Sequence, residues 1–235
     1  MAVPIKLTAL KGKIIAIDGP AGSGKSTTAK LLAERLDFTY LDTGAMYRAV
    51  ALFALRNGVS VNDANAMEQI AAKVKIEFKN DGVIGQLIYL NGENVTEGIR
   101  TAEATHGSSA VAVHGGVRRE LVKRQQEMGK KGSIVAEGRD TTSVVFPRAD
   151  LKIYLKADLD ARARRRFLEQ THKGENTTVE EQKKLLTARD QNDSQRKESP
   201  LTQVSDAIVV DTSSLTIEGQ VEMIIKHALK AFKRG

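Results

Sequence analysis

Three observations predict an α/β fold in which a parallel five-stranded sheet is wrapped by helices. Short apolar, β-branched runs alternate with stretches of helical periodicity, the pattern of a parallel sheet with crossover helices. The first run, Ile14-Ile-Ala-Ile17, leads into Gly19-Pro-Ala-Gly-Ser-Gly-Lys25-Ser26, which fits G-x-x-x-x-G-K-[ST]. Residues from about Gly58 to Gly116 then break the alternation and read as an insert.

The strands are expected at Ile14 to Ile17, Phe38 to Leu41, Ile134 to Ala136, Leu151 to Leu155 and Ala207 to Val210, each bounded by polar or glycine residues. After the glycine-rich segment, Ala29, Leu32, Ala33 and Leu36 recur at helical spacing. Ala45 to Arg56 is a second helix, which Asn57-Gly58 can end. Within the insert, Lys73 to Asn80 places Val74, Ile76 and Phe78 on one face. After Asp81-Gly82, a second β-like run from Gln86 to Leu90 meets Asn91-Gly92, which predicts antiparallel strands with flanking helices. The core is assigned to 1–56 and 117–235 and the insert to 57–116. His172 to Thr178 is a polar, mobile loop ended by the capping box Thr178-x-x-Glu181, and a lid is expected at about 158–177.

With 235 residues and 41% hydrophobic content, the chain can bury a sizeable core. The absence of cysteine excludes disulfides and thiolate metal sites or nucleophiles. No apolar run approaches the ~20 residues of a membrane span. Met1 to Lys13 lacks the apolar segment and cleavage site of a signal peptide, so the cytoplasm is the expected location. A net charge of +7 suits polyanionic partners, either nucleic acid or a small phosphorylated substrate. Aromatic content is only 4% and is not interleaved with the basic residues, which favours phosphate in a cleft.

The glycine-rich segment carries the clearest chemistry. Glycines let backbone N–H groups turn inward on phosphates, and the following helix N-terminus adds partial positive charge. Lys25 then reaches the β- and γ-phosphates of a nucleoside triphosphate, and Ser26 a bound Mg²⁺. Asp18 and Glu137 are further candidates for the ion's surroundings. Leu41-Asp-Thr43-Gly-Ala-Met-Tyr47-Arg48 follows the second strand, at the end of the sheet where ligands collect. Thr43 can cap the helix and Arg48 can fork a phosphate; a capped helix with a surface arginine is the plain alternative. After the third strand, Glu137-Gly138-Arg139-Asp140 gathers a glycine, a cation and a carboxylate, or else forms a turn with a local ion pair. Arg162, Arg165 and Arg166 share a helix face and suit the charge that spreads over a transferring phosphoryl group. A solvated basic face or a nucleic-acid patch is the alternative. Arg189, Asp193 and Arg196, at i, i+4 and i+7, share a face that could equally be a solvated salt-bridged one.

The histidines, His106, His114, His172 and His227, show no ligand or triad spacing. No base is required if the acceptor is a phosphate monoester, whose second pKa of about 6 leaves it largely an oxyanion at neutral pH. Such an acceptor needs alignment and charge neutralisation.

In this order, Asp18-Gly-Pro-Ala-Gly-Ser-Gly-Lys-Ser26, Leu41-Asp-Thr-Gly-Ala-Met-Tyr-Arg48, Glu137-Gly-Arg-Asp140 and the Arg189/Asp193/Arg196 triplet resemble the motifs of bacterial cytidylate kinases. These are nucleoside monophosphate kinases of the P-loop kinase fold, and the resemblance runs from about Lys13 to the C-terminus. It implies a five-stranded P-loop kinase core with an inserted monophosphate-binding subdomain that closes on the acceptor, and a lid. It implies ATP, with Mg²⁺, on Gly19, Pro20, Ala21, Gly22, Ser23, Gly24, Lys25, Ser26 and Thr27, and CMP or dCMP as acceptor. Arg48 and Arg139 would hold the acceptor phosphate, with Thr43, Tyr47 and Gly138 lining the site. Ser109, Arg118, Asp140 and Arg196 would read the cytosine edge, and Arg189 and Asp193 would hold the ribose hydroxyls. Lys25, Arg139 and the lid arginines Arg162, Arg165 and Arg166 would act on the transferring group. An amino group at position 4 can donate to Asp140, which a uracil cannot do. Thr43 stands where some relatives have serine, and Gly115-Gly116 replace bulkier residues before Arg118, which predicts a looser approach there. A monomer that binds neither nucleic acid nor membrane is expected. The rivals are a kinase of UMP or shikimate, and a P-loop nucleic-acid-binding regulator.

Overall fold

The computed structural model describes residues 10–81 and 86–232. Gly82 of the expected Asp81-Gly82 turn and the first nine residues of the Met1 to Lys13 segment lie outside them. The chain runs β1 (Ile14–Asp18), α1 (Lys25–Leu36), β2 (Thr39–Asp42), α2 (Thr43–Arg56) and α3 (Ala64–Lys73). It continues through β3 (Ile76–Asn80), β4 (Gln86–Leu90), β5 (Glu93–Asn94), a 3₁₀ turn at Gly98–Arg100, α4 (Ala102–Val111) and α5 (Gly115–Gly129). Then come β6 (Ile134–Gly138), a π-type turn at Thr141–Val145, β7 (Leu151–Lys156), α6 (Leu159–His172), α7 (Val179–Gln195), β8 (Ile208–Asp211) and α8 (Ile217–Phe232).

These elements form two compact units. The first takes the described residues up to Leu41, Gly129–Gln195, and those from Ser199 on. Its parallel sheet has the order β2-β6-β1-β7-β8. All five strands expected from the apolar runs are present. β1 is central, pairing in parallel with β6 (Ile17 opposite Glu137, Asp18 opposite Gly138) and with β7 (Asp18 opposite Tyr154). Strand alternation sends Ile15, Ile17, Val135, Ile153 and Leu155 into one apolar layer with Ala29, Leu32 and Leu36 of α1 and Val221, Ile224 and Ala228 of α8. Each fully buried Val, Leu or Ile among them contributes roughly 1.5–3 kcal/mol. The neighbouring positions, Asp18 among them, face the other way. The capping box at the start of α7 forms as expected: Glu181 N–H donates to Thr178 Oγ1 at 3.2 Å, and Thr178 N–H donates to Glu181 Oε2 at 2.8 Å.

The second unit comprises Asp42–Met128 and Arg196–Glu198, a wider span than the insert expected at 57–116. Tertiary packing explains the extra width, because Ala45, Met46, Ala49 and Val50 of α2 and Val117 and Leu121 of α5 join one core with Met67, Ile76, Ile88 and Ile99. Arg124 of α5 donates to the carbonyls of Ala71, Ala72 and Val74 at 2.6–2.9 Å, satisfying the end of α3. The three-stranded sheet β3-β4-β5 is antiparallel, with Phe78 opposite Ile88. Asn91 and Gly92, with φ of 51° and 88°, turn the chain into β5, a two-residue strand with no apolar signal of its own. Gly115-Gly116 open α5 directly, and a Cβ on Gly116 would require the end of the flexible Glu68 side chain to shift.

Candidate active site

The glycine-rich loop leaves β1 at its carboxyl end. Gly19 has a φ of 153°, and a Cβ there would strike the Leu155 carbonyl oxygen, so only glycine fits. Gly24, at φ 92°, stands before α1 and offers no side-chain cap, which leaves the first N–H groups of α1 for a ligand. The Ser23 hydroxyl is buried with no hydrogen-bond partner among the described residues. Lys25 is buried and curls back so that Nζ donates to the Pro20 carbonyl at 2.7 Å. Ser26 Oγ donates to Glu137 Oε1 at 2.6 Å, and Tyr40 Oη donates to the same oxygen at 3.3 Å.

At the end of β6, Arg139 Nε donates to Asp193 Oδ2 at 2.7 Å. Burial pulls the Arg139 guanidinium down, but the Asp193 charge and hydrogen bond, with Glu137 and Asp18 behind them, hold it above its ordinary value. Lys25 goes the opposite way. Burial first, then the charges of Arg139 and Arg189, press its ammonium well below its usual range against the pull of Glu137 and Asp193. Buried Lys25, Glu137 and Asp193 therefore share one charge cluster with the partly exposed Arg139 and Arg189, where an incoming phosphate would offset the mutual repulsion of the cations.

The Asp18 carboxylate accepts from Thr141 N–H, Thr142 N–H and Thr142 Oγ1, whereas the Glu137 carboxylate meets the Ser26 hydroxyl directly. The Ser26 hydroxyl and Glu137 carboxylate are hard oxygen donors of the kind Mg²⁺ accepts. Among the described residues no three or more His, Cys, Asp or Glu gather to hold a metal.

The three lid arginines have different surroundings. Arg162 is buried and donates to the carbonyls of Ala21 (3.1 Å) and Ala157 (3.1 Å) and to Asp190 Oδ2 (2.7 Å). Arg165 donates to Gly22 O at 3.5 Å and also to Thr212 Oγ1 and the Thr212 carbonyl. Thr212 Oγ1 in turn donates to Ser23 O at 2.9 Å. Arg166 instead pairs with Glu169 at 2.8 Å within its own helix. A cleft of about 460 Å³ between the loop, β7 and α6–α7 is lined by Pro20, Tyr154, Leu159, Arg162, Asp190 and Leu201, among others.

In the second unit, Asp42 rather than Thr43 caps α2: its Oδ1 accepts from Ala45 N–H at 2.9 Å and its Oδ2 from Arg48 Nη2 at 2.6 Å. Thr43 is the buried first residue of the helix. Arg118 of α5 is buried, donates to Ala112 O at 3.2 Å and lies over the Tyr47 ring, 5.4 Å from its centre. Ser109 lies on α4. The 189/193/196 face is not one helix face, because α7 ends at Gln195 and Arg196 belongs to this second unit. The chain folds back there, with Leu201 N–H donating to the Asp193 carbonyl at 2.8 Å.

Sequence reasoning did not single out Thr212 or Asp190. Thr212 follows the last strand of the sheet, so the rule that ligand-side residues follow strand carboxyl ends points to it. Asp190 is hidden between two candidates, Arg189 and Asp193, and only its contact with Arg162 distinguishes it.

A family model described as cytidylate kinase matches residues 15–230. A cytidylate kinase of Streptococcus suis (strain 05ZYH33) is 46% identical over 225 residues, 96% of this chain and 100% of the relative. One from Solibacter usitatus (strain Ellin6076) is 48% identical over 221 residues, 93% of each. The solved structure of an uncharacterized protein from Eubacterium ventriosum ATCC 27560, 14% identical, aligns with a TM-score of 0.53 over 94% of this chain and 99% of that one, a likeness of fold alone. No helix among the described residues is long and apolar enough to cross a membrane. The matched span covers the phosphate loop, the charge cluster and both units, and the chain belongs to the cytidylate kinase family.

Proposed function

We propose that this protein transfers the γ-phosphoryl group of ATP to CMP and dCMP, giving ADP and the corresponding diphosphate. Family membership supports the reaction, and the observation that carries it is the charge cluster of Lys25, Arg139 and Arg189 with Glu137 and Asp193. An acceptor phosphate already ionised at neutral pH attacks in line once its charge is neutralised, so no side chain has to remove a proton. Lys25 and the loop from Gly19 to Thr27 grip the donor phosphates. Arg48 and Arg139 hold the acceptor phosphate, with Thr43, Tyr47 and Gly138 beside it. Ser109, Arg118, Asp140 and Arg196 read the base, and Arg189 and Asp193 take the ribose hydroxyls. Arg162 and Arg165, anchored at the loop, and Arg166 offset the charge that spreads over the transferring group.

Ser26 and Glu137 would hold Mg²⁺, which would supply charge neutralisation to the donor phosphates. We further expect the protein to act as a cytoplasmic monomer without nucleic acid or membrane, with the second unit as the monophosphate-binding subdomain and the stretch 158–177 as the lid. Coupled assays with CMP, dCMP, UMP, AMP and shikimate test the assignment: turnover should be highest with a cytidine monophosphate, and equal turnover of all acceptors would overturn it.

A further inference from the structure

The π-type turn at Thr141–Val145 directly follows Arg139 and Asp140, and it is held by a residue from the far end of the chain. Val144 and Val145 N–H donate to the Asp140 carbonyl at 2.8 and 3.1 Å, and Phe146 N–H donates to Thr141 O at 2.8 Å. As in any helical turn, the first N–H groups have no acceptor within the turn. Asp140 occupies the cap position, where an aspartate side chain commonly accepts those N–H groups, yet its side chain makes no cap hydrogen bond. Asp18 performs that task. Its Oδ1 accepts from Thr141 N–H at 2.9 Å and its Oδ2 from Thr142 N–H at 2.7 Å and Thr142 Oγ1 at 2.6 Å.

We propose that Asp18 is a positioning residue for acceptor specificity: by capping the turn that follows Asp140, it fixes where Arg139 and Asp140 leave β6. Asp18 is fully buried and immediately precedes Gly19, so one carboxylate ties the start of the donor loop to the segment that carries the acceptor contacts. The arrangement is costly. Burial raises the Asp18 pKa, the hydrogen bonds from Thr142 and Thr141 pull it back down, and the neighbouring Asp140 charge raises it again.

The inference rests on the reading that Asp140 recognises cytosine, so Asp140→Ala serves as the control. For wild type, Asp18→Asn, Thr142→Val and Asp140→Ala, kcat/KM with CMP and with UMP, KM for ATP and thermal midpoints are measured. Asp140→Ala should lower the CMP-to-UMP ratio by about tenfold to a hundredfold, as loss of a hydrogen bond to a charged group does. Asp18→Asn sets an amide N–H₂ against the turn's donors and should lower the same ratio about tenfold, with KM for ATP within about twofold of wild type. Thr142→Val removes one donor of the three and should lower the ratio a few-fold; it decides the matter if Asp18→Asn does not fold. If Asp140→Ala changes the ratio while Thr142→Val and any folded Asp18→Asn shift only the thermal midpoint, Asp18 is merely structural and the inference fails. If Asp140→Ala leaves the ratio unchanged, the base-reading role itself fails.

Discussion

Arg139 and Arg48 are both expected phosphate holders, and each is held by an aspartate, but the two pairs are built differently. Arg48 reaches Asp42 six positions back, across the first turn of α2, and the same carboxylate caps that helix. Arg139 reaches Asp193 across 54 residues, joining the end of β6 to α7, within a cluster that also holds Lys25, Glu137 and Arg189. The first pair is a local device that any stable α2 would form. The second exists only once the sheet has assembled, and its charges act on every neighbour because they lie close together. At Arg139 positive charge is thus assembled by tertiary packing in the first unit, whereas at Arg48 in the second it is placed by a local helix-end pair.

Removing the lysine should produce the largest difference. Lys25→Met should lower kcat by about 10²–10³-fold, the scale of losing one charged stabiliser of a transition state, in steady-state assays with CMP. The same change should stabilise the nucleotide-free protein. With its folded pKa held below the ordinary 10.5, a charged Lys25 disfavours folding at neutral pH. That burden lifts as pH rises from the depressed folded value towards the unfolded one, because the unfolded chain then binds the extra proton. Urea midpoints at pH 7.5 and 9.5 should show wild type gaining stability relative to Lys25→Met at the higher pH; parallel behaviour of the two proteins would contradict the charge-cluster account.

The aspartates test the pairs themselves. Asp193→Ala strips a largely buried guanidinium of its partner and should cost about 2–3 kcal/mol in chemical denaturation, the scale of a lost hydrogen bond between charged groups. Asp42→Ala should cost about 1 kcal/mol, the value of a helix cap. Asp42→Asn keeps an acceptor for Ala45 N–H and should cost only a few tenths of that. Equal losses at Asp193 and Asp42 would erase the distinction between a tertiary and a local pair.

Part of the fold could be anticipated from sequence, but not this difference. The strands, α1 and the phosphate loop depend on hydrophobic period and on glycine, so they stand close to where they were expected. The Asn91-Gly92 turn was equally plain. Other features depend on segments far apart in the chain. Ser26 and Glu137, 111 positions apart, meet because β1 and β6 are neighbours in the sheet. Arg196 falls outside α7 because the chain folds back from Asp193 to Leu201, and periodicity carried past that point still reads as helix. Thr43 was the plausible cap by residue type, but Asp42, one residue earlier, has both the acceptor and the cation to pair with.

Backbone preferences are short-range, so the chain's own letters settle the helices, the strands, the turn glycines and the loop that can surround phosphates. Charge compensation is a matter of distance and dielectric in space. Which aspartate caps the turn after Asp140, which carboxylate faces Ser26, and which cations crowd Lys25 were therefore decided only when β1, β6 and α7 came together and water was excluded from around them.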